Sequence, residues 1–89
     1  MHAIVVRVSI SDPESAQKGL EEMVVPRVSQ SPGFVAGYWT RADDGSNGHS
    51  MLVFESEDAA RSVAERLGAN VPDGVTFEGA EVREVVANA

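Results

Sequence analysis

Cysteine is absent from this 89-residue chain, so no disulfide, thiolate nucleophile or thiolate metal ligand is available to it. Basic residues are few: 7 Lys and Arg stand against 14 Asp and Glu, for a net charge of −7, and they are scattered along the chain. Displacing counterions from a phosphate backbone takes clustered cations, which argues against nucleic acid and against an anionic membrane as partners. Long apolar runs are missing too, where about 20 residues are needed to cross a bilayer. The chain enters strand-like sequence at once, without the charged and apolar segments of a signal peptide. These absences together predict a cytoplasmic protein. No glycine-rich loop follows a strand, and His2 and His49, the only histidines, belong to no short ligand motif. Neither a nucleotide nor a metal is therefore expected, and no cofactor is implied.

What is present reads as a single domain over residues 1–89. A chain of this size buries only about 60–65% of its unfolded surface, so it gains from association. Four runs of strand character, His2–Ile10, Phe34–Arg41, His49–Glu55 and Thr76–Val86, alternate with helical stretches in the order β-α-β-β-α-β. That order predicts an α+β, ferredoxin-like split unit: a four-stranded antiparallel sheet carrying two helices on one face. Asp12 is placed to cap the first helix, with Pro13 at its first position, where a missing N–H costs nothing. Leu20, Met23, Val24 and Val28 form its apolar stripe, and Pro26 inside that stripe should kink the helix or start a separate turn. Ser56 caps the second helix, whose buried stripe is Ala59, Ala60, Val63, Ala64 and Leu67.

Between the middle strands lies Asp43-Asp44-Gly45-Ser46-Asn47-Gly48, the most turn-rich stretch, so these strands form a hairpin. Pairing Arg41 with His49 puts Trp39 opposite Met51 and Gly37 opposite Val53, on one surface with Arg41 and His49. Phe34, Ala36, Tyr38, Leu52 and Phe54 fall on the other, more apolar surface, which is assigned to the helices with Ile4, Val6 and Val8. The first set, joined by Val5 and Arg7, would form a large uncovered patch. Such patches mark interfaces, and the simplest cover is a second copy of the same sheet about a two-fold axis. Two sheets so packed enclose a barrel whose mixed lining suits a small hydrophobic or aromatic molecule.

This arrangement resembles the dimeric α+β-barrel superfamily, in particular the small proteins related to antibiotic-biosynthesis monooxygenases (ABM-like proteins). The resemblance rests on the element order, on Val25-Pro26-Arg27, on Ser31-Pro32-Gly33-Phe34 and on the run from Val53 through Phe54-Glu55-Ser56-Glu57-Asp58 to Ala60. It implies a homodimer and a pocket for a hydrophobic or aromatic molecule. Some relatives oxygenate such molecules without metal or flavin; others are decarboxylases, isomerases, haem degraders or proteins without known activity. The haem degraders use an Asn on the first strand, a Trp and a His; here that strand has no Asn, Trp39 is on the second strand and His49 is at the hairpin rim.

Two functional readings follow. In the first, a cofactor-independent oxygenase acts on a small aromatic or polyketide-like molecule: Trp39 and Met51 shape the pocket, His49 takes a proton, and Arg7 or Arg41 steadies the anion. In the second, a non-catalytic homodimer binds a small ligand or has a regulatory or structural role. Each residue also has a plainer reading: packing for Trp39, a solvated loop edge for His49, and pairing with Asp43 or Asp44 for Arg41. A mid-strand Arg7 needs an anionic partner, with Glu81 or Glu84 available, and such a pair would favour the binding reading.

Overall fold

The computed structural model describes all residues from Met1 to Ala89. Strand β1 (His2–Ile10) leads into helix α1 (Pro13–Gly19), a π-helical turn (Leu20–Val24) and helix α2 (Val25–Ser29). Strands β2 (Phe34–Trp39) and β3 (Asn47–Phe54) make the hairpin, followed by helix α3 (Glu57–Leu67) and strand β4 (Val75–Glu84). The strands lie in the order β2-β3-β1-β4, all antiparallel, which is the ferredoxin-like arrangement.

The helix starts form as their sequences dictate. The Asp12 carboxylate accepts from the Ser15 amide and hydroxyl, and the Ser56 hydroxyl accepts from the Ala59 amide. Pro26 lacks an N–H, and its ring crowds the carbonyl four residues earlier. The helical arm absorbs this by widening: the Val25 amide reaches back five residues to the Leu20 carbonyl before α2 resumes. One arm thus runs from Pro13 to Ser29 across the sheet with a bulge in its middle.

The core lies between this arm, α3 and one sheet face. Ile4, Phe54 and Ala60 are completely buried, with Val6, Val28, Leu52 and Val63 beside them. The Phe34 and Phe54 rings meet edge to face, 5.8 Å between centroids.

The hairpin register differs by one residue from the expected pairing. Trp39 pairs with Ser50, Tyr38 with Met51 and Gly37 with Leu52. The turn is tighter than its composition suggests. The Asp44 carboxylate accepts from the Ser46 amide and hydroxyl, Gly45 adopts φ of 76°, and Ala42 already bonds Asn47. Asn47 and Gly48 therefore belong to β3, not to the loop. Because side chains alternate strictly, this single step exchanges faces along β2. Trp39 and Gly37 point to the helices, whereas Tyr38 and Ala36 point away from them. A bulge at Val35 shifts the register again and returns Phe34 to the helix side, opposite Phe54.

No helix is long and apolar enough to cross a membrane.

Candidate functional site

The expected cluster of Arg7, Trp39, Arg41, His49 and Met51 is divided between the two sheet faces. Arg7 pairs with His49 and Val5 with Met51, so Arg7, His49 and Met51 share the open face with Val5, Val53 and Tyr38. Trp39 packs against the core on the other side and, with Arg41, lines a cavity between sheet and helices. The clustering of all five on one face is thereby corrected, and the one-residue step at the hairpin is its cause. Trp39 and His49 consequently share no site, unlike the Trp and His of the haem-degrading pattern.

On the open face Arg7 has the partner its mid-strand position requires. Its guanidinium lies 3.8 Å from the Glu81 carboxylate, which also binds Arg83. Gly79 makes room for this: a Cβ there would stand 2.6 Å from Arg7 Nη2. All three charged groups are about half exposed, so the network is worth little in stability while water reaches it.

The cavity is built from the alternate side chains. Val6, Val8 and Ile10 of β1, Leu52 of β3 and Phe77 of β4 form its sheet wall. Ala16, Leu20 and Val24 form the helix wall, two of them from the π-helical turn, and Leu67, Val71 and Pro72 close the end. The cavity is partly open to solvent and has a volume of about 150 Å³, with 12 of its 19 lining residues hydrophobic. That matches the size of an apolar cavity able to hold a benzene ring. Trp39 supplies the one large polar-edged wall. Its indole packs beside Gly37, where a Cβ would come within 2.8 Å of the ring. A shallower groove of about 400 Å³ between the helices adjoins the cavity, sharing Val24, Leu67 and Asn70, but only half of its lining is apolar. The smaller, drier space is the better ligand site.

The polar groups of the cavity are few. Gln17 bonds Glu21, Thr40 bonds the His49 carbonyl, and Asn70 links Arg27 to the Arg66 carbonyl. The Ser50 hydroxyl, the Trp39 indole N–H and the Arg41 guanidinium have no intramolecular partner. The indole and the guanidinium can only donate and the Ser50 hydroxyl can donate or accept, and no Asp, Glu, His, Tyr or Lys lines the cavity. It can steady an acceptor or an anion and holds no side chain able to take a proton near neutral pH. No three His, Asp or Glu side chains converge as a metal site would require.

The architecture is shared with proteins of known structure. SnoaB, a cofactor-independent oxygenase from Streptomyces nogalater, matches 98% of this chain and 94% of its own with a TM-score of 0.74, at 18% identity. This chain has the same fold. A dimeric ferredoxin-like protein from an uncultured marine organism matches the whole of this chain and 98% of its own, with a TM-score of 0.63 and 10% identity. A monooxygenase from the gene ActVA-Orf6 of Streptomyces coelicolor, solved with Nanaomycin D, matches 99% of this chain and 92% of its own, with a TM-score of 0.58 and 17% identity. No family model matches the sequence, and no curated protein does. The shared fold therefore accounts for the element order.

The sequence reading missed most of that cavity. Ser50, Leu20, Val24 and Phe77 were legible only as stripe or strand positions. Nothing local to them signals that the widened helical arm leaves space against β1.

Proposed function

We propose that this chain is an ABM-like homodimer that binds a small aromatic or polyketide-like molecule between its sheet and its helices and promotes its cofactor-independent oxygenation. One observation carries the reading: a benzene-sized, mainly apolar cavity in which the Trp39 indole, the Arg41 guanidinium and the Ser50 hydroxyl are each free to donate. Oxygenation without a cofactor requires an electron-rich substrate anion to reduce dioxygen itself. Since no lining side chain accepts a proton, the methylene loses its proton to solvent before the anion binds. An activated methylene is then converted to a carbonyl, with one oxygen atom retained and the other leaving in water (R–CH2–R′ + O2 → R–CO–R′ + H2O). Donors around the substrate oxygen stabilise that anion, and the apolar walls keep water from it. Trp39 would shape the cavity and Ser50 would donate to the substrate. His49, on the opposite sheet face, is separated from this cavity by the sheet and takes no part in it.

The homodimer would form through the open face, which exposes Met51 and Tyr38, 48% and 69% accessible, around Val5 and Val53. Patches of this kind mark interfaces, and the marine ferredoxin-like protein of the same fold is dimeric.

The test is anthrone under ¹⁸O-labelled dioxygen, with product followed by mass spectrometry against buffer and heat-treated protein. One ring of anthrone matches the cavity while the others extend through its open side. Anthraquinone carrying one ¹⁸O, formed faster than in both controls, is the expected result. Rates equal to the controls would overturn the oxygenase reading. In that case the second reading gains, a dimer that binds a ligand without transforming it. It is favoured by the lack of a proton acceptor in the cavity and by the Arg7–Glu81 pair, which neutralises the open-face cation.

A further inference from the structure

The seven basic side chains of this acidic protein are unequally engaged. Arg7 and Arg83 bind Glu81, Arg61 binds Glu57, Arg27 binds Asn70, and Arg66 binds the Ser62 carbonyl. Only Lys18 and Arg41 are left without a partner. Lys18 stands on the outer surface of α1, whereas Arg41 lines the mouth of the cavity. Asp43 and Asp44 follow Arg41 closely, yet neither comes within 4.0 Å of its guanidinium. Asp44 is held instead by Ser46 in the hairpin turn, which directs it to the loop tip.

We infer that the cavity takes an anionic ligand: an apolar ring system bearing one carboxylate or ionised phenol oxygen, seated with its charge at Arg41. This deepens the pocket reading given above and rests on it. Two features support an anion over a neutral ligand. In a chain of net charge −7, the lining carries one cation and no acid, a local reversal of sign. A guanidinium also offers a planar fork of donors that matches two oxygens at once, and it keeps its charge throughout the physiological pH range. Since no lining group can remove a proton, the ligand must arrive ionised. Binding therefore follows the ligand's own pKa rather than that of any side chain.

The experiment uses a matched pair of probes, 2-naphthoate and 2-naphthamide, which differ in the charge of one group. Trp39 is the only tryptophan, so its indole N–H gives a single resolved NMR cross-peak at the cavity wall. Titrating each probe against ¹⁵N-labelled protein and against the Arg41→Gln variant yields four affinities. The expected result is that both probes move the Trp39 signal, with naphthoate about fivefold tighter, the upper range for an exposed ion pair. In Arg41→Gln that preference should fall to about one, with the affinity for naphthamide retained as the control for an intact cavity. Equal affinities in the unmodified protein would overturn the anion inference and leave the pocket standing. A preference that survives Arg41→Gln would overturn the assignment to Arg41. If neither probe moves the Trp39 signal, the pocket reading itself fails and the inference fails with it.

Discussion

The two faces of this sheet are made from the same strands, and they solve opposite problems. Toward the helices, β1 and β3 present Ile4, Val6, Leu52 and Phe54, all buried, without a charged side chain among them. Away from the helices, the intervening positions present Arg7, His49 and Met51, and β4 adds Glu81 and Arg83. Charge on the second face is paired off within the chain, whereas the single cation bordering the first is left free. A face whose cations are both held by a carboxylate of the same chain suits contact with another surface. A mainly apolar cavity bordered by one unpaired cation suits a ligand. Location of charge, more than its amount, thus separates the two roles.

The sharpest way to test this division is to mutate neighbours on β3. Phe54→Ala removes a wholly buried ring that packs edge to face on Phe34, so it should cost about 3–5 kcal/mol by denaturant unfolding. Met51→Ala, three residues earlier on the opposite face and half exposed, should cost under about 1 kcal/mol in the dilute monomer. Comparable losses at the two positions would show that the open face is part of the folding core.

That contrast was legible in the sequence for β1 and β3, where alternation is regular, and illegible for β2. Caps at Asp12 and Ser56, the stripe on α3 and the interruption at Pro26 depend on neighbours within four residues, and they form as the residue types require. Facing in β2 depends instead on how many residues the hairpin leaves unpaired. The Asp44 carboxylate closing on Ser46 and the positive φ of Gly45 shorten the loop, and that shortening interchanges Trp39 and Tyr38. Asp44-Gly45-Ser46 was the available signal, since an Asp accepting from a residue two positions on is a known turn device. The bulge at Val35 has no comparable signature, so the return of Phe34 to the core could be guessed only from its hydrophobicity. With the faces interchanged, the candidate site moved from the barrel interior to the space under the helices.

The proposed dimer offers a second, smaller test of the comparison. Met51→Asp places a carboxylate at the middle of the open face without touching the cavity. A charge buried without a partner at an interface is strongly disfavoured, so the dimer dissociation constant should rise at least tenfold in analytical ultracentrifugation. The far-UV circular dichroism should be unchanged, and naphthoate binding with it. Loss of the cavity signal along with the dimer would mean that the two faces are coupled rather than independent.

The smallest effect expected is a pH effect, and it separates the ends of the elements from both faces. Hydrogen bonds from the Ser15 hydroxyl and amide hold the Asp12 carboxyl below its ordinary range, and those from Ser46 do the same for Asp44. For Glu57 the chief cause is its bond to Arg61, reinforced by that guanidinium's charge. A carboxyl whose folded pKa lies below its unfolded value contributes stability above the unfolded value, and loses it as pH falls through the folded one. Stability should therefore be level above about pH 5 and decline below about pH 4, where ordinary carboxylates take up protons. Asp12 caps the arm that carries Ala16, Leu20 and Val24, so acid should loosen the cavity wall while the strands persist. The Trp39 signal would then shift at a higher pH than the circular dichroism of the sheet. Asp12→Asn keeps an acceptor for the helix cap but cannot titrate, and it should flatten this decline without lowering stability at neutral pH. If Trp39 and the sheet respond together in both proteins, the helical arm and the strands form one cooperative unit, and the cavity is no softer than the core beneath it.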